Sequence, residues 1–264
     1  MKLLLKIAFD GTEFHGYQFQ PSHRTVQGTL TETLSELFGE PVNVTGCSRT
    51  DSGVHASYFV AAIEPKSEDS GDWLRIPPSK IHRAANDLLP RDISVLGAFP
   101  VEDTDFHPRY SVVSKEYVYR IDDSLAPQPF MRNYVYAHRR PISDAEISDM
   151  DSAAQRFVGK HDFTSYMAAG SKITDAERCV YSASVKRNSA GLIEFRVCAD
   201  GFLYNMVRIM AGTMIEVAKG RLSPADTDKV TEAKNREAAG ETLPPSGLCL
   251  CKVTYPFEIG WLAD

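Results

Sequence analysis

The stretch VNVTGCSRTDSGVHASYFVAAI, residues 42–63, contains two strand-like segments separated by a short polar segment. Its first valines alternate with polar residues, and YFVAAI (58–63) is an apolar and aromatic run typical of a buried strand. The polar segment SRTDSGVHA (48–56) contains Gly53, which can adopt the positive φ that tight turns often require. The stretch therefore predicts two consecutive strands, with the polar segment as the loop between them.

The segments on either side of this pair extend the pattern. Upstream, LLLKIAF (3–9) predicts a strand, and apolar residues recur at helical spacing over 26–38, with Thr25 as the N-cap. Downstream, Ser79 is the expected N-cap of a helix, and DISVLGAF (92–99) predicts a further strand. The first half of the chain therefore has the order β-α-β-β-α-β.

The second half of the chain repeats this order more loosely. Two copies of it predict an α+β fold of two ferredoxin-like (split β-α-β-β-α-β) halves, 1–104 and 105–264, in a mixed, mainly antiparallel sheet with helices on one face. The expected elements of the second half are a strand over 113–121, a helix after Ser143, strands over 179–187 and 191–199, a helix over about 204–219, a polar helix near 223–238 and a closing strand over 247–255.

Composition restricts the class of protein but does not select a ligand. The chain has no apolar run long enough to span a membrane, and its short leucine block near the start predicts neither a signal peptide nor a transit peptide. Its five cysteines are odd in number and lack paired spacing, which favours a cytoplasmic protein without a disulfide framework or a metal site. The net charge of −6 weakens a nucleic-acid interpretation, although a basic cleft can exist on an acidic protein.

The loop RTDSGVH places Arg49, Asp51 and His55 within seven positions. Asp51 could simply cap its own turn, as aspartate often does before glycine. Asp51 and His55 also suggest metal ligands, but no third carboxylate or histidine follows at a familiar spacing. A carboxylate kept ionised by neighbouring cations could instead act as a nucleophile.

Arg208 is the only charged residue of GFLYNMVRIMAGTMIE (201–216) before the final Glu216. Long charged side chains on apolar helices either extend to the surface or pair with an acid. Asp51 is the candidate acid in the second case.

Two further segments carry candidate binding residues. In SKEYVYR (114–120), Lys115, Tyr117 and Tyr119 share one face of a strand, where aromatic rings either pack in the core or stack on nucleic-acid bases. In FHPRY (106–110), His107 and Arg109 either belong to a solvated linker or contact phosphate.

Taken together, these segments resemble the tRNA pseudouridine synthase A family, also called tRNA-uridine isomerase I. The resemblance runs the length of the chain through blocks that appear in order. They are FDGTEFHGYQFQ (9–20), TVQGTL (25–30), SRTDSGVHA (48–56), NDLLPRDISV (86–95), FHPRYS (106–111), KEYVYR (115–120), GKHDFTSY (159–166), GFLYNMVRIMAGTMIEV (201–217) and PPSGLCLCKVTY (244–255).

The resemblance implies an isomerase that converts uridine to pseudouridine in the anticodon stem-loop of transfer RNA, at tRNA positions 38, 39 and 40. It implies Asp51 as the nucleophile, Tyr117 as the aromatic residue against the target base and Arg208 as the ion-pair partner of Asp51. Arg49 would help to hold the flipped nucleotide, and His55, His107 and Arg109 complete the expected substrate-binding residues.

The resemblance also implies an RNA-binding cleft between the halves, a homodimer, and no cofactor, metal or membrane. No GxGxxG or P-loop motif is present in the sequence. The chain departs from the usual family pattern at a few positions without losing a reacting group: Ser48 stands where Gly is common, Ser52 and Pro108 where Ala is common, and Tyr17 where Trp is common.

Two other classes of protein remain open from the residues alone. A non-catalytic RNA-binding module would use the basic and aromatic residues without needing Asp51. A metal-dependent hydrolase would use Asp51 and His55.

Overall fold

Packing divides the chain into two units, Met1–Val113 with Leu250–Asp264, and Ser114–Cys249. The computed structural model describes residues 1–67, 73–103, 105–170 and 174–262. The boundary expected between 104 and 105 falls at a residue outside the described part, so the two domains 1–104 and 105–264 stay a prediction.

The first unit has the element order expected from its sequence. Its strands are antiparallel and adjacent in the order β4-β1-β3-β2, which is the order of a ferredoxin-like half. The helices α1 and α2 pack against each other and against β2 and β4. The elements are β1 (Lys2–Phe9), α1 (Val26–Phe38), β2 (Val42–Gly46), β3 (His55–Pro65), α2 (Pro78–Leu88) and β4 (Ile93–Val101).

The second unit repeats the order with additions. Its main strands are adjacent in the order β5-β9-β8-β7, and β6 pairs with β5 in parallel. The helix α3 packs on β8 and α4, and α4 packs on β5. The elements are β5 (Ser114–Asp122), β6 (Tyr136–Ala137), α3 (Asp144–Gln155), β7 (Gly159–Asp162), β8 (Glu177–Arg187), β9 (Ile193–Ala199), α4 (Met206–Ala218), α5 (Asp226–Glu232) and β10 (Leu248–Thr254), whose last residues return to the first unit.

Together, the two units confirm the α+β class. Two of the expected helix starts are confirmed by cap geometry. The Thr25 side chain accepts a hydrogen bond from the Gly28 N–H, and Ser143 forms a reciprocal capping box with Glu146. The expected N-cap Ser79 is wrong, because α2 starts at Pro78. Proline suits the first helical position, where its fixed φ is already helical and no N–H is needed.

The polar helix expected near 223–238 is much shorter than predicted. The helix α5 ends at Glu232, Lys234 has a positive φ of 48°, and a separate 3-10 turn follows at Arg236–Ala238. A non-glycine residue in the left-handed region cannot continue a right-handed helix.

The strands β6 and β7 were not predicted because they are too short to show an alternating pattern.

The central strands of the first unit are covered on both faces. Leu3, Leu4 and Leu5 are consecutive in β1 and have no exposed area. Consecutive residues of a strand point to opposite faces, so neither face is open at this point. In β3, the ring of Tyr17 stacks on Phe59 with centroids 4.6 Å apart, so the loop that carries Tyr17 covers part of this strand. The prediction of helices on one face leaves the other face open, but at its centre the sheet of the first unit is covered on both faces.

The helix α4 passes very close to the segment that precedes β10. Nearly all of its side chains are buried, and a Cβ placed on Gly212 would lie 2.0 Å from the carbonyl oxygen of Glu241. The Oγ1 of Thr213 accepts a hydrogen bond from the Gly240 N–H at 3.0 Å. The absence of a side chain at Gly212 therefore allows the chain to lie directly on the helix.

We expect Gly212→Ala to lower the free energy of unfolding by about 1–3 kcal/mol, the range for overpacking a filled interior. Helix propensity alone would favour alanine by about 1 kcal/mol, so the steric clash decides the sign. Urea denaturation measures the change. Gly201→Ala is the control, because its Cβ would meet only the flexible Arg178 side chain at 3.3 Å. A Gly212→Ala protein as stable as the wild type would contradict the close approach.

Candidate active site

The loop Cys47–Val54 connects β2 to β3 and contains the tight turn predicted from its glycine. Gly53 has a φ of 78°, and the N–H of Val54 donates to the carbonyl oxygen of Asp51 at 3.1 Å. Asp51 is therefore the first residue of a tight turn, and this backbone hydrogen bond fixes the shape of the turn. The side chain of Asp51 is half-buried and that of Arg49 is exposed, with the buried Thr50 between them.

A second loop, residues 10–25, holds this turn in place. The N–H of Tyr17 donates to Thr50 O at 3.1 Å, and the N–H of Gly53 donates to Phe14 O at 3.2 Å. Ser52 Oγ also donates to Phe14 O at 3.2 Å. The turn that carries Asp51 is thus bound through its backbone on both sides of the aspartate.

His55 joins the same two loops from the start of β3. Its ring is buried, and Nδ1 lies 3.0 Å from the Gly11 nitrogen and 3.1 Å from Asp10 Oδ1. Because a backbone N–H always carries its proton, Nδ1 is the acceptor of the Gly11 bond. These contacts are those of a positioning residue, and contact of His55 with a substrate stays a prediction.

Glycine at positions 11 and 16 is required by this arrangement. A Cβ on Gly11 would lie 2.0 Å from Val54 O, and one on Gly16 would lie 2.7 Å from Thr50 O. The two glycines of DGTEFHG (10–16) are therefore needed for this segment to pack closely against the aspartate loop, although the two segments lie far apart in sequence.

The segment FHPRYS (106–111) also belongs to the first unit. Phe106 is buried against Tyr255 and Phe257, and the Tyr255 hydroxyl donates to Pro108 O at 2.7 Å. Phe106 and Pro108 are thus anchored, and the residues that alternate with them, His107 and Arg109, are half-buried instead.

The structure brings Arg49, His107 and Arg109 to one cavity of about 150 Å³ in the first unit. His107 Nδ1 accepts from the N–H of Arg109 at 3.1 Å and from that of Tyr110 at 3.3 Å. Burial and the nearby Lys2 and Arg109 charges lower the pKa of His107. The sequence interpretation missed some residues of the lining, among them Gln18, Gln27, Thr45 and Tyr110. For Gln18 and Tyr110 the available signal was their place in the FHGYQ and FHPRY blocks, whereas Gln27 on α1 and Thr45 on β2 lie outside these two blocks.

Tyr117 and Arg208 belong to the second unit. Tyr117 lies on β5, is 6% exposed, and meets Phe202 edge to face with ring centroids 5.0 Å apart. Arg208 is half-buried on α4, donating from Nε to Leu243 O and from Nη1 to Asn205 Oδ1, each at 2.7 Å. Both hydrogen bonds are made within the second unit and fix the Arg208 side chain. The side chain therefore does not simply extend into solvent. The ion pair expected between Asp51 and Arg208 stays a prediction.

Within the described ranges, no group of three or more His, Cys, Asp or Glu side chains is placed to hold a metal ion. No helix among the same residues has the length and hydropathy of a membrane span.

Tyr17 contributes a packing feature beside the aspartate loop. Its hydroxyl is buried and has no hydrogen-bond partner among the described residues, and burial raises the pKa of Tyr17 far above its ordinary value. In contrast, the hydroxyl of Tyr119 donates to Pro244 O at 2.7 Å. The two tyrosines therefore form a matched pair, one with and one without a partner for a buried hydroxyl.

We expect Tyr17→Phe to raise the free energy of unfolding by up to about 1 kcal/mol, because a buried polar group without a partner is removed. Tyr119→Phe should lower it by about 1–3 kcal/mol, because the carbonyl of Pro244 loses its donor. Urea denaturation of both variants gives the comparison. Equal losses in the two variants would show that the Tyr17 hydroxyl has a stabilising partner.

Known proteins resemble this chain over nearly its whole length. A sequence model described as tRNA pseudouridine synthase matches residues 6–111 and 153–256. Proteins called tRNA pseudouridine synthase A are 39% identical over 253 residues in Thermoanaerobacter sp. (strain X514), covering 96% of this chain and 99% of that one, and 42% identical over 257 residues in Bacillus pumilus, covering 97% and 99%.

The protein of the same name in Bacillus subtilis (strain 168) is 40% identical over 257 residues, again covering 97% of this chain and 99% of the relative. A solved Cbf5-Nop10-Gar1 complex aligns with 94% of this chain and 58% of its own at 11% identity and a TM-score of 0.35, a likeness too low to add to the assignment. The chain belongs to the tRNA pseudouridine synthase family, a family of isomerases that act on uridine in transfer RNA.

Proposed function

We propose that this chain isomerises uridine to pseudouridine in the anticodon stem-loop of transfer RNA, at positions 38, 39 and 40, with Asp51 as the nucleophile. The observation that carries the proposal is the match to the family over both halves of the chain, together with an aspartate at the start of a turn braced on both sides. A fixed turn suits a reacting group, because its orientation then costs no further ordering when the substrate binds.

The reaction requires neither an oxidant nor a group donor. The N1–C1′ bond of uridine breaks, the uracil ring turns, and a C5–C1′ bond forms. The proton on C5 is lost to solvent and N1 gains one, so the product has the composition of the substrate. Asp51 acts by attack on C1′ or C6, or by assisting a glycal intermediate, after the base has been flipped out of the stack.

The remaining candidate residues have roles consistent with their chemistry. Arg208 supplies the positive charge that keeps Asp51 ionised, and Tyr117 lies against the target base. The cavity of Arg49, His107 and Arg109 is far smaller than a pocket for a drug-sized ligand, which measures roughly 300–1,000 Å³, and therefore suits a phosphate group. With its pKa lowered and Nδ1 occupied, His107 is an uncharged donor through Nε2 at neutral pH.

The family resemblance also supports a homodimer in the cytoplasm. Light scattering at micromolar concentration measures the mass directly, and a monomer there would contradict the dimer.

The deciding experiment follows tritium released from transfer RNA labelled at uridine C5. Forming the C5–C1′ bond expels that label, whereas binding alone does not. Release that persists with a chelator supports the synthase. Tight binding with full retention of label would favour the RNA-binding module, and RNA cleavage that the chelator abolishes would favour the hydrolase.

We expect Asp51→Asn to remove essentially all tritium release while leaving the affinity for transfer RNA within about threefold. One carboxylate carries the covalent step, whereas many phosphate contacts share the binding. Asp149→Asn, an exposed position on α3, is the control for the loss of one negative charge. Tritium release by Asp51→Asn at the rate of the Asp149→Asn control would remove the nucleophile assignment.

We expect Tyr117→Phe to keep the affinity for transfer RNA, because the ring and its contact with Phe202 are retained. Tyr117→Ala should weaken binding by about 1–3 kcal/mol, the cost of losing one base–aromatic stack. Filter binding measures both, with circular dichroism melts to confirm folding. Folded Phe and Ala variants of equal affinity would identify Tyr117 as a packing residue only.

A further inference from the structure

A groove in the second unit lies outside the candidate active site and carries its own set of basic and flat side chains. It has a volume of about 460 Å³, within the range of ligand pockets. We call it the arginine groove; its walls include Arg132, Arg139, Tyr136, Pro127, Pro129 and Pro244.

The sequence around the arginine groove is basic and aromatic in an otherwise acidic chain. Residues 124–143 contain three arginines and no aspartate or glutamate, although the whole chain has a net charge of −6. The same stretch contains Phe130, which is 88% exposed, and Tyr134, which is also exposed. It lies between the two segments that match the family, 6–111 and 153–256. Exposed aromatic rings beside arginines are the combination that binds nucleic-acid strands.

Hydrogen bonds fix the walls of the arginine groove. The Ser246 Oγ donates to Val135 O at 3.2 Å, and the Tyr119 hydroxyl donates to Pro244 O at 2.7 Å. On the opposite side, β6 holds Tyr136 in register with Ile121. The groove is therefore preformed, which reduces the entropy cost of ordering it around a ligand.

The two arginines are presented at the surface of the groove. Arg139 is exposed and has a φ of 55°, a left-handed conformation that non-glycine residues rarely adopt and that often marks a functional position. Arg132 is exposed, and its Nη1 donates to Pro129 O at 3.2 Å, which orients the guanidinium along the wall. No carboxylate is among the residues that line the groove, so Arg132 and Arg139 are the charged groups of its walls and offer an anion two guanidinium donors.

We propose that the arginine groove is a second RNA-binding surface, which holds one nucleotide of the transfer RNA away from the reacting uridine. Its phosphate lies on Arg132 and Arg139, and its base lies against the proline and Tyr136 rings. The inference rests on the proposed function for the identity of the RNA, and on the geometry of the second unit for the site itself.

The test compares two double variants with the same change in charge. Arg132→Gln with Arg139→Gln removes both groove arginines, whereas Arg75→Gln with Arg83→Gln removes two exposed arginines of the first unit. Affinity for full-length transfer RNA is measured across a salt series. We expect the groove variant to bind about tenfold more weakly at 0.1 M salt, with a slope of log affinity against log salt reduced by about 1, because the groove holds one phosphate and roughly one counterion is released per phosphate contact.

The rate of tritium release at saturating transfer RNA should be unchanged in the groove variant. Affinity and salt slope equal to those of the control variant would overturn the proposal. A loss of affinity accompanied by a lower mass in light scattering would assign the groove to contact with a second copy, and would also overturn it.

Failure of this inference is distinguishable from failure of the proposed function. Wild-type protein that releases tritium, with a groove variant that binds like the control, leaves the synthase and removes the groove. Wild-type protein that releases no tritium but binds RNA through the groove supports the groove and removes the synthase.

Discussion

The aspartate turn depends on backbone hydrogen bonds to a loop about 35 residues earlier in the chain, from Gly53 N–H to Phe14 O and from Tyr17 N–H to Thr50 O. A short loop between two strands has few ways to fix a side chain by itself. Here the neighbouring loop supplies partners on both sides of Asp51, and His55 bonds Gly11 from the first residue of β3. Since backbone bonds do not change with side-chain rotamers, the turn is held by groups that cannot move independently of the fold.

The apolar core of the first unit extends beneath the aspartate loop and supports these backbone hydrogen bonds. Tyr17 belongs to the loop that braces the aspartate turn, and its ring stacks on Phe59 in β3. Burial of this ring restricts movement of the loop relative to the sheet, because a shift of the loop would open an unfavourable cavity in the core. The same packing buries the Tyr17 hydroxyl without a partner among the described residues, which lowers the stability of the fold while the ring keeps its fixed position.

The sequence predicted the element order and the turn because both depend on local patterns. Gly53, Thr25 and Ser143 act through their immediate neighbours, and their roles were confirmed. The pairing of residues 10–25 with the aspartate loop could not be predicted, because it depends on backbone bonds between distant segments. Similarly, the cavity that unites Arg49 with His107 and Arg109 forms only when FHPRY folds back on Tyr255. The end of α5 was missed because Lys234 has no sequence feature that announces a left-handed conformation.

The departures from the usual family pattern can now be assigned physical consequences. Ser52 stands where alanine is common, and its Oγ adds a third hydrogen bond between the two loops, to Phe14 O. Pro108 replaces another common alanine, but its contact with Tyr255 is through the carbonyl oxygen, which any residue provides. Tyr17 in place of tryptophan keeps a ring on Phe59, while a Cβ at Gly46 would lie 2.4 Å from that ring, so no side chain fits beneath it. These three departures therefore preserve the bracing of the aspartate turn, and the one at Ser52 adds a hydrogen bond to it; nothing in the structure explains the fourth, Ser48. The contacts that fix the Asp51 backbone are therefore made mainly by backbone groups of the neighbouring loop, and the side chains at positions 17, 52 and 108 leave those contacts intact.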